Sequence, residues 1–200
     1  GGTAIEHVHG GKSLFDVMKE KPEVQKQFDT FMGNISAMEI AAILAAYKFE
    51  GCQTIADIGG GSGTLPLAVL EEHAQMAGIL YDQPQVVKSA TQALKNMPER
   101  CKILSGNFFE SVPAGADTYM LKHIIHDWDH KECTKILGNI RKVIPESGKL
   151  ILLETVIAKP NMPHFSKMLD LEMLVATGGM ERTADEYRQL LGEVGFKVTR

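Results

Sequence analysis

Apolar positions recur at helical spacing through the first fifty residues, and the texture then changes. Leu14, Phe15, Val17 and Met18 fall within two turns behind Ser13, whose hydroxyl can cap a helix, and Pro22 suits a first helical turn. Val24, Phe28, Phe31 and Met32 continue the period, and after Gly33 an alanine-rich stretch runs to Tyr47. From Thr54 onward short apolar runs predict strands over 54–58, 78–81, 102–104, 118–121, 150–157 and 196–199. Between them, Val86, Val87, Ala90, Ala93, Leu94 and Met97 share one helix face, as do Ile136, Leu137, Ile140, Val143 and Ile144. Tyr187, Leu190, Leu191 and Val194 form a third face, opened by the capping box Thr183-x-x-Glu186 and closed near Gly195. Alternating strands and helices predict an α/β fold, a mostly parallel sheet with helices on both faces, preceded by helices. No internal repeat or low-complexity tract competes with it.

Composition narrows the class. With 200 residues, 44% of them hydrophobic and 23% charged, the chain suits one domain with a helical extension. The formal charge of -4 has no basic patch beside it, which argues against nucleic acid as the main partner. Apolar runs such as 40–46 are far shorter than a membrane span. Cys52, Cys101 and Cys133 cannot all pair and show no C-x-x-C spacing, so a reducing, cytoplasmic setting is expected, with no secretory signal read. The start at Gly1-Gly2 without a methionine leads us to expect a processed chain or a fragment.

The run from Ile55 through Asp57, Ile58, Gly59, Gly60, Gly61, Ser62 and Gly63 to Thr64 reads as a buried strand, a glycine turn and a helix. Such a turn lets backbone approach a ligand and offers helix N–H groups to an anion, although a tight turn without any ligand leaves the same pattern. A dinucleotide fingerprint wants glycine where Thr64 stands. Asp57 is placed to take an ammonium group. Asp82, ending the second strand, can accept ribose hydroxyls or can cap the helix after Gln83-Pro84.

After the fourth strand comes Lys122, His123, Ile124, Ile125, His126, Asp127, Trp128, Asp129 and His130. Ligands sit at the carboxyl ends of strands in open parallel sheets, so chemistry is expected there. The spacing of His123, His126, His130 and Cys133 invites a zinc reading only on a continuous helix, which the preceding strand argues against, so no metal is expected. His126 could equally be a helix-terminal histidine bonded to a neighbour.

These residues also carry a resemblance. Asp57 to Gly63, then Tyr81-Asp82-Gln83-Pro84, Gly106-Asn107-Phe108-Phe109, Leu121-Lys122-x-x-x-His126-Asp127-Trp128 and Gly178-Gly179-Met180-Glu181-Arg182-Thr183 come in the order of small-molecule O-methyltransferases. The chain resembles the catalytic domain of the caffeic acid and acetylserotonin O-methyltransferase type over nearly its whole length. The resemblance implies a Rossmann-like class I methyltransferase fold and S-adenosylmethionine as cofactor, with S-adenosylhomocysteine as product. By it, Asp57, Gly59, Gly61 and Gly63 would hold the methionine end, Asp82 the ribose, and Asn107 and Phe108 the adenine side. Lys122 would lie along the cofactor. His126 would be the general base, Glu154 and Glu181 the acids that orient it, and Met173 and Thr177 would line the acceptor pocket.

Asn107 replaces an acid common in such enzymes, so altered affinity is expected. The resemblance also implies an N-terminal dimerisation domain that this sequence lacks. Residues 1–50 are accordingly expected to be the helical connection to it, residues 51–200 a methyltransferase domain truncated at its C-terminus, and the full-length protein a homodimer. Exposed apolar faces at Leu14, Phe15 and Met18 and an unpaired strand edge at 197–199 would follow. The alternatives are an NAD-dependent dehydrogenase, a cofactor-binding module without turnover, and a relative that has diverged to hydroxylation or decarboxylation.

Overall fold

The computed structural model describes residues 2–93 and 99–199. Three helices come first: α1 (Ala4–Val8), α2 (Leu14–Glu20) and α3 (Pro22–Ala46). Strands and helices then alternate through β1 (Thr54–Ile58), α4 (Thr64–Glu72), β2 (Ala77–Asp82), α5 (Pro84–Ala93), β3 (Cys101–Ser105) and β4 (Thr118–Lys122). A 3₁₀ turn at Ile125–Asp127 precedes α6 (His130–Val143), β5 (Lys149–Leu153), α7 (Ser166–Ala176) and α8 (Ala184–Glu193). The caps foreseen from sequence are in place. Ser13 Oγ accepts the Asp16 N–H at 3.2 Å, and Thr183 and Glu186 satisfy one another's backbone N–H groups. A cap of this kind is worth about 1 kcal/mol.

The chain divides into two compact units. One comprises Lys26–Lys122 and Lys142–Leu152 and holds the sheet, ordered β3-β2-β1-β4-β5. β1 runs parallel to β2, with Ile58 opposite Tyr81, and to β4, with Asp57 opposite Met120; β2 runs parallel to β3, with Asp82 opposite Ser105. This is a Rossmann-like order, and its reversal between β1 and β4 marks where such sheets take ligands at their carboxyl ends. Ile55, Ala56, Ile58, Leu80, Tyr119, Met120 and Leu121 are wholly buried. Continuous apolar runs of that kind are what a parallel sheet covered on both faces requires, each large side chain contributing about 1.5–3 kcal/mol.

The other unit comprises Gly1–Gln25, His123–Arg141 and Leu153–Arg200. Val17, Met18, Ile125, Cys133, Ile136, Leu137, Ile140, Tyr187, Leu190 and Leu191 are its buried apolar residues.

Several expectations need correction. The run 150–157 is a strand only to Leu153, because Glu154 turns its carboxylate to accept the N–H groups of Ile124 and Ile125, and Val156 makes only an isolated bridge to Arg182. Residues 196–199 form no strand: the Phe196 N–H donates to Leu191 O at 2.9 Å and its ring lies 5.7 Å below the Arg141 guanidinium. The early helices do not present the apolar face expected of them. Met18 is buried, Leu14 is half-buried, and Phe15 stacks on Trp128 at 5.1 Å. Phe31 departs in the other direction and is exposed. The side chains of Ala90 and Ala93, and Leu94 and Met97 altogether, lie outside the described residues. α7 escaped prediction because Met168, Leu169, Leu171, Met173, Leu174 and Val175 surround the helix and leave no period. Among the described residues no helix is long and apolar enough to cross a membrane.

Candidate active site

In the sheet unit, the carboxyl ends of β1, β2 and β4 gather the glycine turn, Asp57, Asp82 and Lys122. Gly59, Gly61 and Gly63 have φ of 73, 56 and 74°, a left-handed path that folds the chain back immediately after β1. A Cβ on Gly60 would lie 2.4 Å from Leu80 Cδ1 and 2.6 Å from Asp57 Oδ2, so any larger residue there must displace one of these buried side chains. The Gly61 N–H donates to Asp82 Oδ2 at 2.8 Å and the Gln83 N–H to Asp82 Oδ1 at 2.6 Å. Asp82 therefore ties the loop after β1 to the start of α5. Asp57 is buried and its Oδ1 has no hydrogen-bond partner among the described residues. Burial pushes its pKa up to about 7, with the Lys122 charge pulling the other way and Asp82 adding to the rise. Burial also raises Asp82, against the two backbone N–H groups that favour its ionised form. Lys122 Nζ pairs with Glu39 Oε2 at 3.0 Å.

The second unit builds a histidine site. The 3₁₀ turn after β4 buries His126, and its Nδ1 lies 3.0 Å from Glu181 Oε1 and 3.4 Å from Glu154 Oε2. Its Nε2 is 3.9 Å from Asp127 Oδ1, too far for a hydrogen bond. Burial alone would depress the imidazole, but the Glu181 hydrogen bond and the charges of Glu154, Asp127 and Glu181 outweigh it and push the pKa up to about 9. Burial raises Glu154 to about 7, against the pull of the His126 charge and two backbone N–H groups, and raises Asp127 to about 6. The next segment is packed against the same turn. The Met180 N–H donates to His126 O at 2.9 Å, and a Cβ on Gly179 would overlap that carbonyl.

The remaining expected residues have local partners. Asn107 Nδ2 donates to Glu110 Oε1 and its Oδ1 accepts the Phe109 N–H, both at 3.0 Å, while Phe108 and Phe109 meet edge to face at 4.9 Å. Thr177 caps α7, donating to Met173 O at 3.0 Å and accepting the Gly179 N–H at 3.2 Å. The histidine–cysteine quartet is not brought together: His130 Nε2 meets Glu193 at 2.7 Å and Cys133 Sγ donates to Ile125 O at 3.2 Å. His123, His126 and Glu154 have ligand atoms within 4.8 Å of one another. The two imidazoles, however, stack nearly parallel at 5.4 Å, which keeps their in-plane lone pairs in separate planes. Sequence reasoning singled out neither Asp127, Arg182 nor Glu39. The first two adjoin predicted residues in sequence, whereas nothing distinguishes Glu39 within its helix.

Comparison with known proteins gives the geometry a context. Residues 2–197 match the family model described as an O-methyltransferase domain. Phenazine O-methyltransferase PhzM of Lysobacter antibioticus is 38% identical over 202 residues, covering 100% of this chain and 59% of that protein. The mitomycin biosynthesis 6-O-methyltransferase of Streptomyces lavendulae is 37% identical, with 100% and 57% covered. Among solved structures, that of LaPhzM superposes with a TM-score of 0.95 at 38% identity, covering 99% of this chain and 60% of that one. The SAH-bound form of CalO1, a methyltransferase of calicheamicin biosynthesis, gives 0.83 at 35% identity, with 95% and 57% covered. The chain thus spans under two thirds of the length of these relatives.

Proposed function

The chain belongs to the O-methyltransferase domain family, and from that premise we propose that it transfers a methyl group from S-adenosylmethionine to a hydroxyl, phenolic or similar, of a small molecule. The residues at the sheet's carboxyl ends fit such a cofactor. Asp57 keeps a buried, unpartnered oxygen suited to an ammonium group, Gly61 leaves open space beside the backbone of the turn, and carboxylates outnumber Lys122, as a cationic ligand favours. Asp57 with Gly59, Gly61 and Gly63 would hold the methionine end, Asp82 the ribose, Asn107 and Phe108 the adenine side, and Lys122 would lie along it. When bound, this cofactor supplies a methyl group already activated on a sulfonium.

What remains for the protein is to align an acceptor oxygen and remove its proton. The observation that carries the reading is the state of His126: Nδ1 is held by Glu181 at 3.0 Å, while Asp127 Oδ1 lies 3.9 Å from Nε2, beyond hydrogen-bond reach. Nε2 is the nitrogen left to accept a hydroxyl proton. Glu181 and Glu154 then hold the imidazolium that forms, as an acidic partner does in other histidine-base sites. Met173 and Thr177 would line the acceptor pocket. The acceptor class follows the relatives' names, phenazine and mitomycin, which point to a hydroxyl on a fused-ring, phenol- or quinone-like small molecule.

We further read residues 1–50 as the helical connection to a dimerisation domain, residues 51–200 as the cofactor-binding domain, and the complete protein as a cytoplasmic homodimer. Calorimetric titration with S-adenosylhomocysteine and with NAD, followed by methyl-transfer assays on hydroxyphenazines, phenols, indoles and hydroquinones, tests the activity. Binding of the first ligand with methylation of a hydroxyl is expected; NAD binding without it would overturn the reading. Light scattering on the complete protein tests the dimer.

A further inference from the structure

The segment that supplies Glu181 also grips the backbone of the His126 turn. Arg182 is 3% exposed, and its Nη1 donates to Ile125 O at 3.0 Å and Met180 O at 3.3 Å. Its Nη2 donates to Trp128 O at 3.0 Å and reaches Cys133 Sγ at 3.4 Å. The N–H groups on the other side of the turn, those of Ile124 and Ile125, go to Glu154 Oε1 at 3.0 and 2.7 Å. The carbonyls that bracket His126 thus belong to Arg182, and the amides before it belong to Glu154.

We propose that Arg182 is a positioning residue for the reaction, its guanidinium fixing the carbonyls of Ile125 and Trp128 and so the aim of the His126 imidazole. The inference rests on the reading of His126 as base.

Two observations separate this from a merely structural role. Arg182 has no carboxylate within ion-pairing distance among the described residues, so its hydrogen bonds go to carbonyls and a sulfur, with Glu186 acting on it only through space. A site that needed only filled space would be better served by an apolar side chain, since burying an unpaired charge is costly. The contacts also need a planar fork: one guanidinium reaches two carbonyls from adjacent nitrogens, whereas a lysine ammonium is a single point. The segment's own backbone is anchored, with the Ile157 N–H donating to Arg182 O at 2.9 Å, so the fork is held in register with Glu154. The titratable groups that act on this turn and on Arg182 include Glu154, Glu181, Asp127, His123, Cys133, Tyr187, Asp129 and Glu186.

The test uses R182M, R182K and H126Q in the complete protein, with a hydroxyphenazine as acceptor. In R182M, kcat should fall about 10- to 100-fold with KM for both substrates within about twofold, because aim is lost and binding is not. The rising limb of kcat/KM against pH should move toward acid as Nδ1 loses its alignment with Glu181, and R182K should recover part of both effects. R182M with near-normal kcat and an unmoved limb overturns the inference. If H126Q retains turnover, the base reading fails whatever Arg182 does; if H126Q is inactive and R182M is not, only the present inference fails. Should R182M not fold, the wild-type protein still answers. Its Arg182 Nη protons should give separate, slowly exchanging NMR resonances, and averaged, rapidly exchanging ones would overturn the proposal.

Discussion

Glu181 places Oε1 3.0 Å from Nδ1 of His126, and neither residue is more than 6% exposed. A carboxylate so close in so dry a setting commits one face of the imidazole and leaves its chemistry to the other.

That commitment has a pH signature. The free-enzyme imidazole titrates at about 9, so kcat/KM should climb through neutrality and level off near that value. Glu181→Gln removes the hydrogen-bonded charge and should shift the limb toward acid by roughly one unit or more. An unshifted limb would remove Glu181 from the titration. The same group also affects folding. A histidine raised in the folded state contributes stability that is full below its ordinary value of 6.5 and is lost as pH rises through about 9. H126Q should therefore lose its stability deficit relative to wild type across that window, measured by urea unfolding.

Asp57 makes the opposite trade between stability and ligand. Its folded value near 7 lies above the ordinary 3.8, so the protonated form favours folding and that advantage disappears as pH rises toward 7. Asp57→Asn should be more stable than wild type at pH 8 and nearly equal to it at pH 4, while binding S-adenosylhomocysteine at least tenfold more weakly (about 1.4 kcal/mol). Denaturant unfolding at the two pH values and calorimetry decide both halves.

Asp82 links two loops as well as facing the proposed ribose position. Asp82→Ala should weaken S-adenosylhomocysteine by tenfold or more, about 1.4 kcal/mol, and should also loosen the Gly61 amide. Unchanged affinity by calorimetry would make Asp82 a structural tie alone.

Two glycine-to-alanine changes should act with opposite signs. At Gly60 the added methyl meets Leu80 and Asp57, and a loss of about 1–3 kcal/mol is expected. At Gly138, inside α6 with nothing within 4 Å of the added carbon, alanine should stabilise by roughly 0.5–1 kcal/mol. Thermal unfolding of the two variants side by side is the measurement.

The sheet was legible because strands such as Thr54–Ile58 and Thr118–Lys122 are short, largely apolar runs between turn residues, each carrying one charged residue toward its carboxyl end. His126, Glu154 and Glu181, nominated through motif resemblance, do meet within one unit. What the sequence hid was set by tertiary contact. Glu154 ended a strand early through backbone amides thirty and twenty-nine residues upstream. Phe15 and Met18 found partners that no local pattern announces, and the residues after Gly195 went to a helix end rather than to a ladder. Arg182 adjoins Glu181 in the motif, yet its role was not legible, because its hydrogen-bond partners are mainly carbonyls, which every residue possesses.

At Gly179 itself the backbone lies directly against the His126 carbonyl, with no side-chain atom between the two at that point. Their spacing is then set by atomic radii, which no substitution can shrink. The histidine's turn can be pushed outward by any side chain placed at this position, and it cannot be drawn further in. Faults in its aim from this quarter have one direction only, and the contact acts as a mechanical stop against which Arg182 and Glu181 pull.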